Sequence, residues 1–250
     1  MDNLYEYLNK EYNANFSGWD FSYINGRREE DNLPWDYKNI VENNFLGKET
    51  LLDMGTGGGE FLCSLSNLPK NVFATEAFEP NIPIAEKRLK EKNMTLKAIK
   101  FENKEKIPFS DDFFDIIINR QDSYDINELK RALKKNGIFI TQQVGGLNGI
   151  DINMAFETKT MDFVQWCLIQ NIENFKNAGM EILDYDEYIG KKKFNDVGAL
   201  VYYLRCIPWQ VENFSIDKYY KKLEIINEII EKNGHINFLL HRFYIMVKKI

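Results

Sequence analysis

The sequence predicts an α/β fold built on a parallel sheet that is covered on both faces. Two observations carry that prediction. Over residues 49–143, short apolar runs with strand character alternate with helical segments. Such alternation implies right-handed crossovers and parallel strands. The first of these runs ends at Met54 and passes directly into Gly55-Thr56-Gly57-Gly58-Gly59. A strand that feeds a glycine-rich turn and then a helix is a ligand-binding arrangement of parallel α/β sheets.

The elements follow in order. The first forty residues are rich in Tyr, Trp, Asn and Asp and precede the core. Strands are predicted over 49–54, 71–76, 96–101, 114–119 and 137–143, with helices over 60–67, 82–92 and 126–134. Pro80-Asn81 precedes the second helix, and Lys135-Asn136-Gly137 closes the third, both as turn signals. Beyond Gly145 the spacing loosens. Residues 158–178 carry a helical stripe of Met161, Val164, Cys167, Leu168 and Ile172. A strand is expected over 180–188, an amphipathic helix over 216–232 and a last strand over 236–248. The aromatic stretch 190–214 stands outside the alternation.

Composition bounds the function. The chain has 250 residues, 44% of them apolar and 28% charged, enough to bury a core without disulfides or structural metal. A net charge of -6 argues against nucleic acid as the main partner, because phosphate binding needs a basic face. Cys63, Cys167 and Cys206 are scattered without a CxxC pair, and His235 and His241 are the only histidines. No metal site is expected from that set. The first twelve residues are charged and do not read as a signal peptide. No apolar run approaches the ~20 residues of a membrane span. The expectation is a soluble, cytoplasmic protein.

The residues of the glycine turn separate three ligand classes. A P-loop needs Gly-Lys-Ser/Thr at the helix start, where this chain has Gly59-Glu60. A dinucleotide loop needs G-x-G-x-x-G, and the third glycine position here is Glu60. What remains is an acid, Asp53, followed by Gly55, Gly57 and Gly59.

This acid-x-Gly-x-Gly-x-Gly stretch resembles motif I of class I, Rossmann-like S-adenosylmethionine-dependent methyltransferases. Three further elements resemble the same family in order. The second predicted strand ends in Glu76, 23 residues after Asp53, where a carboxylate can accept both ribose hydroxyls. Glu79 is a nearby competitor, and Glu76 is favoured because it ends the strand. The stretch from Lys106 through Pro108-Phe109 to Phe114-Asp115 resembles the "LPF-x-(D)-x-x-FD" approach to the fourth strand. Glu128 to Ile140 resembles the "R-x-L-K-P-G-G" helix–turn–strand, with Asn136 in place of the first glycine.

The resemblance implies a doubly wound, seven-stranded, mostly parallel sheet in one domain. Residues 1–44 would form an N-terminal cap, 45–189 the core, 190–215 a lid insertion and 216–250 the last helix and strand. It implies S-adenosylmethionine as cofactor, held by Asp53, Gly55, Thr56, Gly57, Gly59 and Glu76. By the same match Asn103 and Lys104 lie by the adenine, and Asn119 and Arg120 by the methionine end. Tyr37 would stack on the pocket, and Trp35, Tyr202, Tyr203 and Trp209 would form a substrate lid. The bland alternative for these aromatics is packing.

Methyl transfer from a sulfonium is an in-line displacement, so positioning can be the main contribution and no catalytic base is obligatory. Candidates to act on the acceptor are Arg120, Gln121, Tyr124 and Gln143, at or after strand ends. Arg120 would hold an anionic group or form a salt bridge. Of Gln142 and Gln143 only one can face the crevice, since strand side chains alternate. His241 reads as structural, Cys63 as a core residue and Lys191-Lys192-Lys193 as a solvated loop. The expected function is methyl transfer to a small molecule. The alternatives are an RNA or protein methyltransferase of the same fold, a non-catalytic S-adenosylmethionine-binding protein and, more distantly, a nicotinamide dehydrogenase. An Asn/Asp-Pro-Pro-aromatic motif after strand four would mark a nucleic-acid amine methylase. The chain has Asn119-Arg120-Gln121-Asp122 there.

Overall fold

The computed structural model describes residues 3–16, 19–99 and 106–250. The strands are β1 (Arg28–Glu30), β2 (Thr50–Met54), β3 (Asn71–Glu76), β4 (Thr95–Ala98), β5 (Phe114–Arg120), β6 (Leu133–Val144), β7 (Met180–Phe194) and β8 (Ile236–Lys249). The helices are α1 (Asn3–Tyr12), α2 (Tyr37–Glu42), α3 (Glu60–Ser64), α4 (Ile82–Lys90), α5 (Ile126–Ala132), α6 (Ile150–Phe156), α7 (Leu168–Asn177), α8 (Val197–Cys206) and α9 (Ile216–Asn233). No helix among the described residues is long and apolar enough to cross a membrane.

The strands form one sheet in the order β1-β7-β8-β6-β5-β2-β3-β4. β2 pairs parallel with β3 and β5, β3 with β4, and β5 with β6. β6 pairs antiparallel with β8, and β1 with β7. The sheet is mostly parallel as expected, with eight strands instead of seven among the described residues. The chain runs outward from β2 to β4 and then returns to β5 on the other side of β2. That reversal is the switch point, at the carboxyl ends of β2 and β5, where open α/β sheets bind their ligands.

The chain forms two compact units, and β7 and β8 contribute residues to both. The glycine-loop unit comprises Pro34–Val144, Cys167–Glu187 and Arg242–Ile250. Leu51, Leu52, Ile116, Ile117, Ile118 and Ile140 are fully buried there. Parallel strands covered on both faces bury consecutive residues, which is why β2 and β5 carry the apolar runs Leu51-Leu52 and Ile116-Ile117-Ile118. On one face Val41, Leu62, Ala85 and Leu89 join the cluster of Leu51, Ala74, Ile116 and Ile118. Asp36 caps α2 by accepting from the Asn39 amide, and Asp125 caps α5 by accepting from Asn127 and Glu128.

Asn136-Gly137 does not precede the fifth core strand but lies inside it. β6 begins at Leu133, and its register with β5 shifts between Phe114 and Ile116. Asn136, at φ +63°, is the left-handed residue that makes this bulge possible. The helix expected to reach Lys134 therefore ends at Ala132. The first core helix is likewise shorter than expected, Glu60–Ser64.

The helical unit comprises Met1–Leu33, Gly145–Trp166 and Tyr188–His241. Its centre is α8, in which all residues but Arg205 are buried. Leu8 of α1, Phe156 of α6 and Leu223 of α9 belong to the same cluster. Arg27 ties the unit's segments together. It donates to both carboxylate oxygens of Asp196 at 2.8 and 2.7 Å, to Glu11 at 3.0 Å and to the Tyr7 hydroxyl at 2.9 Å. Asp196 also caps α8 by accepting from the Ala199 amide. His241 is buried, and its Nδ1 accepts from the Leu147 amide at 3.2 Å.

Three sequence expectations fail in these segments. Residues 158–167 are not helical, and only α7 remains of the helix expected over 158–178. The reason is visible at Gly146, whose amide donates to the Trp166 carbonyl. A Cβ on Gly146 would stand 2.3 and 2.4 Å from the carbonyl oxygens of Phe163 and Val164. The Phe163 carbonyl accepts from the Trp166 amide three residues on and the Trp166 carbonyl from Gly146, a tight turn packed on a neighbouring segment instead of an α-helical ladder. The stretch 190–214 is not an irregular insertion. β7 continues to Phe194, and α8 follows almost at once. Lys191-Lys192-Lys193 therefore lies on a strand. Lys192 is fully buried and donates to the Tyr203 hydroxyl at 2.6 Å, while Lys193 pairs with Glu29 at 3.0 Å.

Candidate active site

The glycine turn and the strand ends around it lie within the glycine-loop unit. The turn after β2 is pinned to β3 by Thr75. Its hydroxyl accepts from the Gly55 amide at 3.4 Å, and its carbonyl accepts from the Thr56 amide at 2.9 Å. Gly55 has φ +70°, and a Cβ there would stand 2.1 Å from Asp122 Oδ2. Only glycine meets both demands. Gly57 also has a left-handed φ, with open space where a Cβ would be. Gly59 is the left-handed N-cap of α3.

Asp53 is buried at the end of β2 and accepts from the Thr56 hydroxyl at 2.7 Å. Burial pushes its carboxyl up to about 6, with Glu76 and Asp122 adding to the rise. The Thr56 hydrogen bond and the Arg120 guanidinium oppose it. Glu76 is buried at the end of β3, and its Oε1 accepts from the Ala77 and Phe78 amides at 2.8 and 2.7 Å. Among the described residues Oε2 has no hydrogen-bond partner. Glu79 is exposed, so strand-end placement distinguishes the two acids. Asn81, on the same turn, is 1% exposed, and among the described residues neither of its amide atoms has a partner.

At the ends of β5 and β6 the structure gathers Asn119, Thr141 and Gln143 into one network. Asn119 Oδ1 accepts from Thr141 Oγ1 at 3.0 Å and from Gln143 Nε2 at 2.8 Å. Gln143 Nε2 also lies 3.0 Å from the Asp122 carbonyl. This spends the side chains of Asn119 and Gln143 on fixing the turn after β5. Gln142 points to the other face, where its Oε1 accepts from Trp35 Nε1 at 2.8 Å. Trp35 also packs on Tyr244, with ring centroids 5.1 Å apart.

Tyr37 braces the same two strands. Its ring stacks on Phe61, and its hydroxyl lies 2.9 and 3.0 Å from the carbonyls of Asn119 and Ile140. Burial, with Asp53 adding, raises its pKa and keeps the phenol protonated as a donor. Tyr37→Phe should lower stability by about 1–2 kcal/mol in urea unfolding. A variant as stable as the parent would show that the hydroxyl braces nothing.

Arg120 is exposed at the end of β5, with its guanidinium 4.7 Å from the Phe61 ring centre. Among the described residues it makes no ion pair. Gln121 is exposed and left-handed at φ +66°, and its amide donates to the Gln142 carbonyl. Tyr124 is drawn away from this group. Its hydroxyl donates to Asn171 at 2.6 Å, and its ring packs on Phe139 and Phe175. Asn103 and Lys104 lie outside the described residues. Tyr202, Tyr203 and Trp209 lie in the helical unit. The two tyrosines are buried in its core, and Trp209 is about half exposed beside Trp19.

The residue that sequence reasoning passed over is Asp122. It stood in the stretch after the fourth core strand, but nothing in its type marked it as facing Gly55. That contact follows from the positive φ of Gln121, which no side-chain pattern announces.

The residues fit S-adenosylmethionine on three observations. The Gly55–Gly59 turn is open above Gly57. Asp53 feels the charges of Glu76 and Asp122, opposed by the guanidinium of Arg120, which suits a ligand carrying a sulfonium and an ammonium. The carboxylate of Glu76 is fixed by two amides, with its second oxygen unspent. Among the described residues no cluster of His, Cys, Asp and Glu could hold a metal ion.

Comparison with known proteins agrees with this geometry. Residues 52–141 match the family model described as a methyltransferase domain. No curated protein sequence matches the chain. Among solved structures, a Bacillus halodurans protein assigned to the methyltransferases is similar at 18% identity, with a TM-score of 0.58 over 86% of this chain and 98% of its own. The YcgJ protein of Bacillus subtilis is similar at 17% identity and a TM-score of 0.56, over 85% and 97%. A Deinococcus radiodurans protein of unknown function is similar at 9% identity and a TM-score of 0.57, over 89% and 91%. At these identities the structural likeness speaks to the fold. Residues 52–141 thus form a methyltransferase domain, set in the fold of the class I, Rossmann-like S-adenosylmethionine-dependent methyltransferases.

Proposed function

We propose that the enzyme methylates a small molecule, mainly by positioning it for in-line displacement. When bound, S-adenosylmethionine supplies a sulfonium-activated methyl group. Asp53 would face the positive charge of the methionine portion, and Glu76 Oε2 would accept from the ribose hydroxyls. The Asn119–Thr141–Gln143 network fixes the turn on which Arg120 and Gln121 stand exposed. Those two are the residues best placed to orient an acceptor. No general base is required where the acceptor arrives deprotonated.

The observation that carries the small-molecule reading is the charge of the turns that build the site. Asp53, Glu60, Glu76 and Asp122 outnumber Arg88 and Arg120, within a chain of net charge -6. A phosphate polymer would be repelled there. The test uses S-adenosylmethionine with a tritiated methyl group, offered with a small-metabolite extract, total RNA and total protein in separate reactions. Label is expected in the small-molecule fraction. Label confined to RNA or protein would overturn the reading.

A further inference from the structure

We infer that Asp184 and Asp186 close the outer edge of β7 to strand pairing with the same edge of a second copy of this chain.

β7 is 15 residues long and lies between β1 and β8 in the sheet. β1 covers only Lys192, Lys193 and Phe194. Among the described residues no strand lies against that edge from Met180 to Gly190. An uncovered edge presents a row of amides and carbonyls that another chain can take up. The run Ile182-Leu183-Asp184-Tyr185-Asp186-Glu187-Tyr188-Ile189 adds β-branched and aromatic residues of high strand propensity. Leu183, Tyr185 and Ile189 are exposed, and strand alternation sets them on one face. Left bare, such an edge is a template for association.

The amides of this edge are not bare. In an antiparallel strand the amide and carbonyl of one residue point to the same side, and the side alternates along the chain. Lys191 marks the outer side. Its amide donates to Asp31 Oδ2 at 2.8 Å, and its carbonyl accepts from the Asp31 amide at 3.0 Å. Tyr185 and Glu187 share its parity. The Tyr185 amide donates to Asp184 Oδ1 at 2.9 Å, and the Glu187 amide donates to Asp186 Oδ1 at 2.8 Å. Each aspartate thus takes the donor that the carbonyl of an incoming strand would need. The Asp184 carboxylate is itself held, because its Oδ2 accepts from the Tyr244 hydroxyl at 2.9 Å.

A second copy is the partner that these caps refuse. Two identical edges paired antiparallel are self-complementary about a two-fold axis, and every molecule carries the edge. Such pairing would strip both carboxylates of their amides. It would also bring Asp184 and Asp186 of each copy towards the same acids across the two-fold, where like charges oppose.

The test uncaps the edge with Asp184→Ala and Asp186→Ala together. Sedimentation velocity over a concentration series should show this variant reaching twice the wild-type mass. Amide hydrogen exchange at Tyr185 and Glu187 should slow as its concentration rises. Adding Tyr185→Pro removes one outward amide at an edge position that tolerates proline, and should return the mass to that of the wild type. Asp184→Asn with Asp186→Asn keeps an acceptor beside each amide without the charge, and should keep the wild-type mass. A double alanine variant of wild-type mass at every concentration would overturn the inference. Association that Tyr185→Pro leaves intact would overturn it too, by placing the contact elsewhere. So would asparagine variants that associate as strongly as the alanine ones, since the capping would then count for nothing.

Discussion

Gly55→Ala should lose cofactor binding by about 100-fold or more and destabilise the protein by about 3 kcal/mol. Two costs combine at this position. The left-handed backbone, φ +70°, costs an L-residue about 1–2 kcal/mol. The added Cβ would also stand 2.1 Å from Asp122 Oδ2 and 2.6 Å from both Asp122 Cβ and Cγ. No rotamer change clears a clash with Cβ, so the turn after β5 must move. That turn is held by Gln143, the Gln142 carbonyl and the Asp122–Ser123 hydrogen bond. Movement there propagates into the network that positions Arg120 and Gln121. Gly47→Ala is the matched control. It has φ +74° with nothing within 4 Å of a new Cβ, so it carries the backbone cost alone. Urea unfolding and calorimetry with S-adenosylhomocysteine measure both variants. Equal losses in the two would show that the turns after β2 and β5 do not touch.

Asp53→Asn should make the ligand-free protein more stable at pH 7.5, by up to about 3 kcal/mol, while weakening the cofactor. The Asp53 carboxyl titrates at about 6 in the folded protein, chiefly because it is buried. In the unfolded chain it returns to about 3.9. A group whose folded pKa is raised favours folding at low pH. Its stabilising effect is complete below about pH 4 and is lost as pH rises through about 6. The ligand-free wild type should therefore lose stability across that window by a contribution that Asp53→Asn does not show. Cofactor affinity runs in the opposite direction. With Asp53 facing the positive charge of the methionine portion, as proposed, binding needs its ionised form, so affinity should fall towards tenfold per unit below about pH 6. A flat affinity profile from pH 5 to 7.5 in the wild type would sink this role for Asp53.

The parallel sheet and the glycine turn were legible because each imposes a local pattern. β2 and β5 carry consecutive buried apolar residues, Leu51-Leu52 and Ile116-Ile117-Ile118, since both faces are covered. Gly55, Gly57 and Gly59 mark three left-handed positions within five residues. What escaped the sequence depends on partners far along the chain. Arg28-Glu29-Glu30 has neither apolar alternation nor strand propensity. It becomes β1 by lying across from Phe194, Lys193 and Lys192, where Glu29 pairs with Lys193. The triple-lysine run looked solvated for the same reason, since its acids and Tyr203 lie elsewhere in the sequence. The stripe from Met161 to Cys167 has helical spacing, yet the Trp166 carbonyl is taken by the Gly146 amide. In the site, Glu76 was separable from Glu79 by position alone. The commitments of Asn119, Gln143 and Tyr37 to one another's strands needed the structure.

The helical unit is stitched from the start, the middle and the end of the chain. That arrangement sets an order for folding during synthesis. Pro34–Val144 is continuous and can begin its parallel sheet as soon as it emerges. Leu8 and Ile24 emerge earlier but find their partners only when Phe194 to Leu204 has been made. Until then α1 presents its apolar face to water, and Arg27 has Glu11 and Tyr7 but lacks Asp196. A nascent chain arrested before residue 188 should keep its first thirty residues sensitive to protease, and release past residue 206 should protect them.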